Sequence, residues 1–257
     1  MCPYFFAAGN TLISSYSLMI MLGILLGCAA AIYLAKKDNL NVNEVVTYLF
    51  LLCVVAILGG RIYFLLYCFI KEPSAFFQKP IKVFEVLSSG GVFYGGVIFG
   101  VLFSLVYLKK RDISFWRMAD ITGVGLALGH SIGRIGCFLS GCCYGRPTDF
   151  PLAVRFPHLP VRVHPTQLYE SVLNFLNFLF LMAVFRNRKF RGQVFSLYLI
   201  NYAVIRFFLE YLRGDPGRGY ILRSDAPLLS LSIPQLISVL AFISGIVIIR
   251  IRSKQKR

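Results

Sequence analysis

Charge is what this sequence has least of. Only 15% of its 257 residues are charged and 57% are hydrophobic, whereas soluble domains run near about a quarter charged. Acid is scarcer still, with 11 Asp and Glu against 27 Lys and Arg, a formal net charge of +16. A disordered chain, a secreted disulfide scaffold and a soluble dinucleotide-binding enzyme are excluded by this balance. The basic excess suggests nucleic acid, but the water-facing surface that would carry such bases is missing, so no nucleic-acid partner is expected. The first sixteen residues hold no Lys or Arg, and a cleaved signal peptide lacks its basic n-region. Paired CxxC motifs are absent too, and no His accompanies the spacing Cys137-x4-Cys142-Cys143, a poor pattern for zinc. No internal repeat stands out, which weakens an inverted-repeat transporter.

What the chain has in quantity is long apolar runs, at a mean hydropathy of +0.70. About 20 apolar residues cross roughly 30 Å of hydrocarbon as a helix. Seven such segments are predicted: Ser17–Ala35, Val45–Ile70, Gly90–Leu108, Met118–Leu139, Gln167–Phe185, Val194–Tyr211 and Gln235–Ile249. The fourth is the weakest, being rich in Gly and carrying His130 and Arg134. The expectation is an all-α polytopic membrane protein of about seven transmembrane helices. Residues 1–257 form one integral membrane domain, and a small outer-face head is inserted at 140–166.

The bases sort by side. Lys36, Lys37, Lys109, Lys110, Arg111, Arg117, Arg186, Arg188, Lys189, Arg191, Arg250, Arg252, Lys254, Lys256 and Arg257 fall on short loops and the end of the chain. Lys71, Lys79, Lys82, Arg146, Arg155, Arg162, Arg213, Arg218 and Arg223 are spread over the longer alternate loops. The positive-inside rule then sets the N-terminus outside and the C-terminus in the cytoplasm. Lys71–Ser89, Ser140–Thr166 and Leu212–Pro234 face outside, and the middle one, broken by five prolines, reads as short strands and turns.

Three arginines fall inside predicted spans. Each costs roughly 2.5–3.5 kcal/mol if unpartnered at mid-bilayer, so Arg61, Arg134 and Arg206 need partners, cavities or an interface. Tyr202, Arg206, Glu210 and Arg213 fall within an arc of roughly 80° on one helix. Such a face is a salt-bridge ladder for helix packing, a site for an anionic group held by arginines that Glu210 positions, or both together. Gly125, Gly129 and Gly133, like Gly91/Gly95 and Gly96/Gly100, have the four-residue spacing of close helix contact. Gly133, Gly136, Gly141 and Gly145 crowd around Arg134 and should weaken the helix into a phosphate nest.

His164-Pro-Thr166-Gln167-Leu-Tyr169-Glu170 reads as a helix start, with capping accounting for Thr166 but less well for His164, Tyr169 and Glu170. His130 and His158 read as hydrogen-bonded structural histidines. Cys28, Cys53 and Cys68 look like small membrane hydrophobes, with Cys2 apart from them. Cys137, Cys142 and Cys143 cluster near the outer end, where packing, a disulfide or a reactive thiol are the readings.

Several of these motifs, in order, resemble the phosphatidylglycerol–prolipoprotein diacylglyceryl transferase family. Tyr16-Ser-Leu-Met19 resembles its Tyr segment, Gly59-Gly60-Arg61-Ile-Tyr63 its Gly-Ala-Arg motif, and Gly91-Val-Phe-Tyr94-Gly95-Gly96 a motif in which His usually precedes the Gly pair. Gly133-Arg134-Ile-Gly136-Cys137-Phe-Leu-Ser140-Gly141-Cys142-Cys143-Tyr-Gly145 matches in part the signature Gly-Arg-x-Gly-Asn-Phe-x-Asn-x-Glu-x-x-Gly. His164–Glu170 resembles the His-Pro-Ser-Gln-Leu-Tyr-Glu segment, and Tyr202, Arg206, Glu210 and Arg213 match the Tyr-Arg-Glu-Arg helix. Tyr94 stands where the family has His; Cys137, Ser140 and Cys142 stand where it has Asn, Asn and Glu.

The resemblance implies transfer of a diacylglyceryl group from phosphatidylglycerol to the lipobox cysteine of a prolipoprotein, in a bacterial inner membrane, without metal or cofactor. It implies catalytic roles for Arg134, Arg206 and Tyr94. Substrate contacts follow from Tyr16, Arg61, Gly136, Cys137, Cys142, Gly145, His164, Gln167, Tyr169, Glu170, Tyr202, Glu210 and Arg213. The departures leave two alternatives: the same lipid with a different acceptor, or a non-catalytic phospholipid-binding or transport protein.

Overall fold

The computed structural model describes residues 4–8, 11–71, 93–214, 220–222 and 231–255. The predicted loop Lys71–Ser89 beyond Lys71 itself, Gly90 and Gly91 at the start of the third segment, and most of Leu212–Pro234 lie outside the described residues. Among those described are seven helices: α1 (Ser15–Lys37), α2 (Val42–Lys71), α3 (Phe93–Lys110), α4 (Phe115–Ser140), α5 (Thr166–Arg186), α6 (Gln193–Leu212) and α7 (Ile233–Lys254). Each overlaps one predicted apolar segment. Five of them, α1, α2, α5, α6 and α7, are long and apolar enough to cross a membrane.

The helix ends follow the sequence. Lys36 and Lys37 close α1, Lys109 and Lys110 close α3, and Arg252 and Lys254 close α7, where cations complement the carboxyl end of the helix dipole. Ser232 and Gln235 form a reciprocal capping box at the start of α7, with Pro234 in its first turn. Three two-stranded pairings complete the secondary structure among the described residues: Tyr4–Ala8 with Thr11–Ser14, Val154–Arg155 with Arg162–Val163, and Tyr220–Leu222 with Leu231–Ser232. The second lies in the proline-rich segment, as short strands and turns. There Phe156 is wholly buried, with the rings of Phe138, Tyr144 and His158 about it at 5.8, 6.0 and 5.8 Å.

The chain divides into two compact units, Met1–Leu34 with Ala119–Arg257, and Ala35–Met118. In the second, α2 packs on α3 through small residues: a Cβ added to Gly96 would stand 2.9 Å from the Ala56 carbonyl oxygen. Tyr48 Oη and Ser104 Oγ share a 2.8 Å hydrogen bond in the same contact. At its basic end Arg117 Nε donates to Asp38 Oδ2 at 2.5 Å. Large apolar side chains such as Phe50, Ile57, Leu66 and Ile70 point away from the unit, as lipid-facing positions do.

In the first unit α1 lies against α4 with backbones almost touching. A Cβ on Gly125 would meet the Gly27 carbonyl oxygen at 2.5 Å, and one on Gly23 would meet that of Gly129 at 2.8 Å. The four-residue glycine spacing is therefore helix contact, as its pattern predicts. α4 is joined to α5 by Ser131 and Ser171, whose hydroxyls each donate to the other's carbonyl oxygen at 2.8 Å. Asn201 on α6 donates to Asn177 on α5 at 2.8 Å. These bonds fix which faces of α4, α5 and α6 meet.

The other end of this unit is held by one carboxylate. Asp120 on α4 is fully buried and accepts the Gly192 N–H at 2.8 Å and the Phe195 N–H at 2.9 Å, capping α6 from another helix. Arg188 lies 3.8 Å away. Asp120→Ala strands two backbone donors and takes a carboxylate from Arg188, and is expected to cost about 3 kcal/mol. Thermal unfolding in detergent should show the loss as a lowered midpoint.

Candidate active site

The serine clamp sets the site. Arg134 follows Ser131 by nearly one turn of α4, and Glu170 precedes Ser171 on α5, so fixing the serines brings those two side chains together. Arg134 Nη2 lies 2.9 Å from Glu170 Oε1, with the carboxylate 2% exposed and the arginine side chain 15%. On α6, Arg206 Nη2 lies 2.8 Å from Glu210 Oε2, one turn on, with exposures of 13% and 2%. Each guanidinium is thus neutralised by a buried carboxylate, which removes most of the insertion cost of a lone arginine.

Neither guanidinium is exhausted by its partner. Arg134 Nε and Arg206 Nη1 are buried and have no hydrogen-bond partner among the described residues. Gln167 Oε1 is a buried acceptor in the same condition. Buried donors left over on two cations are what an anion with several oxygens satisfies. His130 lies within electrostatic reach of Arg134, Glu170 and Arg206, and its ring stacks on Tyr202 at 5.0 Å. His130, which reads from the sequence as a structural histidine, thus stands beside the arginine pair. Its spacing does carry the signal, since four residues before Arg134 is one turn on the same face.

Three expectations are corrected here. Gly133 and Gly136 do not open a phosphate nest, because α4 continues to Ser140 and both face α1; a Cβ on Gly136 would stand 2.9 Å from Met19 Cβ and 3.3 Å from the Tyr16 carbonyl. The helix ends only at Gly141, whose φ of +72° suits glycine. Gly141 N–H bonds to Phe138 O and Cys142 N–H to Cys137 O, a Schellman end. Arg213 is not on the Tyr202 face, since α6 stops at Leu212 and Arg213 is extended. Thr166 does not cap α5. Its hydroxyl donates to the Cys143 carbonyl at 2.9 Å, and Gln167 Nε2 donates to the Cys142 carbonyl at 2.6 Å.

Those two bonds hold the cysteine loop against the start of α5. Gly145 then threads between two chains: its N–H bonds to His164 O at 2.9 Å, and it forms an antiparallel bridge with Arg213. A side chain there has no room, since a Cβ would stand 2.6 Å from His164 Cβ and 2.8 Å from Leu212 O. The signature segment, the His164 segment and Arg213 are thereby gathered at one end of α4, α5 and α6. His164 Nδ1 lies 3.4 Å from Tyr169 Oη, and the two rings meet edge to face.

The cysteines gather as well. The sulfurs of Cys137, Cys142 and Cys143 all lie within 4.8 Å of one another, and Arg134 Nη1 is 4.0 Å from Cys137 Sγ. Thiol hydrogen bonding from Cys137 and Cys142, and then the charges of Arg213 and Arg134, draw the Cys143 thiol below its usual range. Hydrogen bonding with Cys137 and Cys143 pushes the Cys142 thiol up. Tyr16, at the start of α1, is within electrostatic reach of the three thiols and of Arg134. Arg61 and Tyr94 belong to the second unit and are exposed on it.

Comparison with known proteins gives the family of the chain. The family model described as prolipoprotein diacylglyceryl transferase matches residues 3–251. A phosphatidylglycerol–prolipoprotein diacylglyceryl transferase of Finegoldia magna is 37% identical over 242 residues, 94% of this chain and 91% of that protein. One of Clostridium tetani is 37% identical over 263 residues, the whole of both chains. A protein of Clostridium perfringens named as the second such transferase is 35% identical over 252 residues, 95% of this chain and 93% of its own. The apolar helices and this match together make the chain a multi-pass membrane protein, and it belongs to the prolipoprotein diacylglyceryl transferase family.

Proposed function

We propose that this chain transfers the diacylglyceryl group of phosphatidylglycerol to the lipobox cysteine thiol of a prolipoprotein, releasing glycerol phosphate. The observation that carries the reading is the pair of carboxylate-anchored arginines, each with a buried N–H left over. Those donors suit the oxygens of one phosphodiester, and the free Gln167 Oε1 suits a hydroxyl of the lipid's glycerol head.

In the reaction the thiol sulfur attacks the glycerol carbon that carries the phosphate. A C–S bond forms, the C–O bond breaks, and its electron pair stays on the departing phosphate oxygen. The thiol proton ends on the released phosphate monoester, so no metal or cofactor enters the balance. Negative charge grows on the leaving oxygen, and fixed guanidinium donors beside it lower the barrier more than they stabilise the bound lipid. Glu170 and Glu210 keep the two forks aimed. Tyr202, stacked on His130, lies along the same face of α6 as Arg206 and contacts the lipid from there. Tyr16, Gly136, Cys137, Cys142, Gly145, His164, Tyr169 and Arg213 shape the rest of the substrate site, and Arg61 is the further lipid contact that the family resemblance implies.

All seven helices cross the membrane in this reading, as one integral membrane transferase domain with the 140–166 segment as a periplasmic head. The N-terminus is outside and the C-terminus cytoplasmic, in a bacterial inner membrane. The support is polarity: α1, α3, α5 and α7 end on Lys or Arg, whereas the arginine pair lies toward the end of α4 and of α6 that the short basic loops do not occupy.

The test is to incubate the purified chain with phosphatidylglycerol micelles and a lipobox peptide, then weigh the peptide. A diacylglycerol-sized addition on its cysteine is expected, and an unmodified peptide overturns the reading. Tyr94 is assigned to orienting the lipid donor, and Tyr94→Phe in the same assay is expected to lower kcat/KM about tenfold, as the loss of one hydrogen bond does. An unchanged rate removes Tyr94 from the reaction.

A further inference from the structure

The three-thiol cluster makes and breaks no bond in the transfer just described, although two of its members line the proposed site, and the fold goes to some length to build it. Cys137 comes from the last turn of α4 and is buried; Cys142 and Cys143 come from the loop beyond, Cys142 exposed and Cys143 half-buried. Cys143 sits at a φ of +64°, a left-handed conformation costly for a residue with a Cβ. The Schellman turn at Gly141, the Thr166 hydroxyl on the Cys143 carbonyl and the Gln167 amide on the Cys142 carbonyl hold the loop there. Three soft ligands, one strained backbone and three external restraints converge within 4.8 Å.

We propose that Cys137, Cys142 and Cys143 form a binding site for a soft, thiophilic d10 metal ion, with monovalent copper the best fit. Three thiolates complete the shell of a monovalent ion, whereas Zn²⁺ asks for a fourth ligand. On binding, three S–H bonds break, three protons pass to solvent, and three sulfur–metal bonds form with no change of oxidation state. The product carries a net charge of −2 at the site, and Arg134 and Arg213 are the cations beside it. The exposed Cys142 gives the ion a way in. Because Arg134 also belongs to the arginine pair, a filled site draws on the same guanidinium that is proposed to hold phosphate, and the ion becomes an inhibitor of transfer. That consequence rests on the proposed function; the binding does not.

The full chain, purified in detergent and reduced, is titrated with Cu(I) against a chromophoric Cu(I) chelator. One equivalent per chain is expected. The same equivalent is expected in a chain whose Cys2, Cys28, Cys53 and Cys68 are all serine, and in Arg206→Ala, which separates this site from catalysis. Cys142→Ser, at the exposed position least needed for folding, loses the equivalent, as do Cys137→Ser and Cys143→Ser. Binding that survives Cys142→Ser, or that disappears from the four-serine chain, overturns the proposal. So does a Cys137–Cys142 or Cys142–Cys143 disulfide that forms and persists under reducing conditions.

Discussion

Arg206→Ala is expected to lower kcat/KM for phosphatidylglycerol by about 10²–10³-fold, the loss of about 2.7–4 kcal/mol that one preorganised donor supplies to a developing oxyanion. Arg134→Ala should fall in the same range. The conservative change is the sharper probe. Arg206→Lys keeps the charge but loses the fork that lets one nitrogen hold Glu210 at 2.8 Å while another stays free for the lipid. It should therefore fold normally and still lose most of the rate. Steady-state kinetics at saturating peptide check both variants, and full activity in Arg206→Lys contradicts a bidentate role.

The largest expected effect on stability comes from Glu170. Its carboxylate is 2% exposed and lies 2.9 Å from Arg134. Glu170→Gln leaves a buried guanidinium without its counter-charge, and about 3–5 kcal/mol of destabilisation is expected. Removing the cation as well should restore the fold but not the chemistry. The double variant Glu170→Gln with Arg134→Met is expected to melt close to the wild type while remaining inactive. Melting of the double variant as low as Glu170→Gln alone would show that the pair is not the cause.

The contrast between these two residues explains how much the sequence could say. Apolar runs of helix length are local, and each of the seven described helices overlaps the segment its hydropathy marks. Gly27 against Gly125 was legible through the small-residue spacing along α4, because backbone contact demands a small side chain every fourth residue. The Arg206–Glu210 pair is likewise one turn of one helix. Partnerships between helices leave no such period. Nothing within Thr166 or Gln167 indicates that they bind the carbonyls of Cys143 and Cys142, some 23 and 25 residues earlier in the chain. Thr166 therefore looked like a cap. The glycines around Arg134 looked like a nest for the same reason: glycine serves close packing and unwound backbone alike, and only α1 lying against Gly136 decides between them. Cys137-x4-Cys142-Cys143 fails a zinc pattern for want of a fourth ligand, and its spacing alone does not show the loop that brings all three sulfurs within 4.8 Å of one another.

That Arg134 and Arg206 together hold the phosphate of the lipid is the claim on which the rest depends. It is tested most directly by product inhibition. Free glycerol phosphate, the released product, should compete with phosphatidylglycerol, raising the apparent KM while leaving kcat unchanged. In Arg206→Lys its inhibition constant should rise at least about tenfold, as the loss of one charge-assisted hydrogen bond requires. Inhibition that does not compete with the lipid, or that is equally strong in Arg206→Lys, would contradict a phosphate seat between these two arginines.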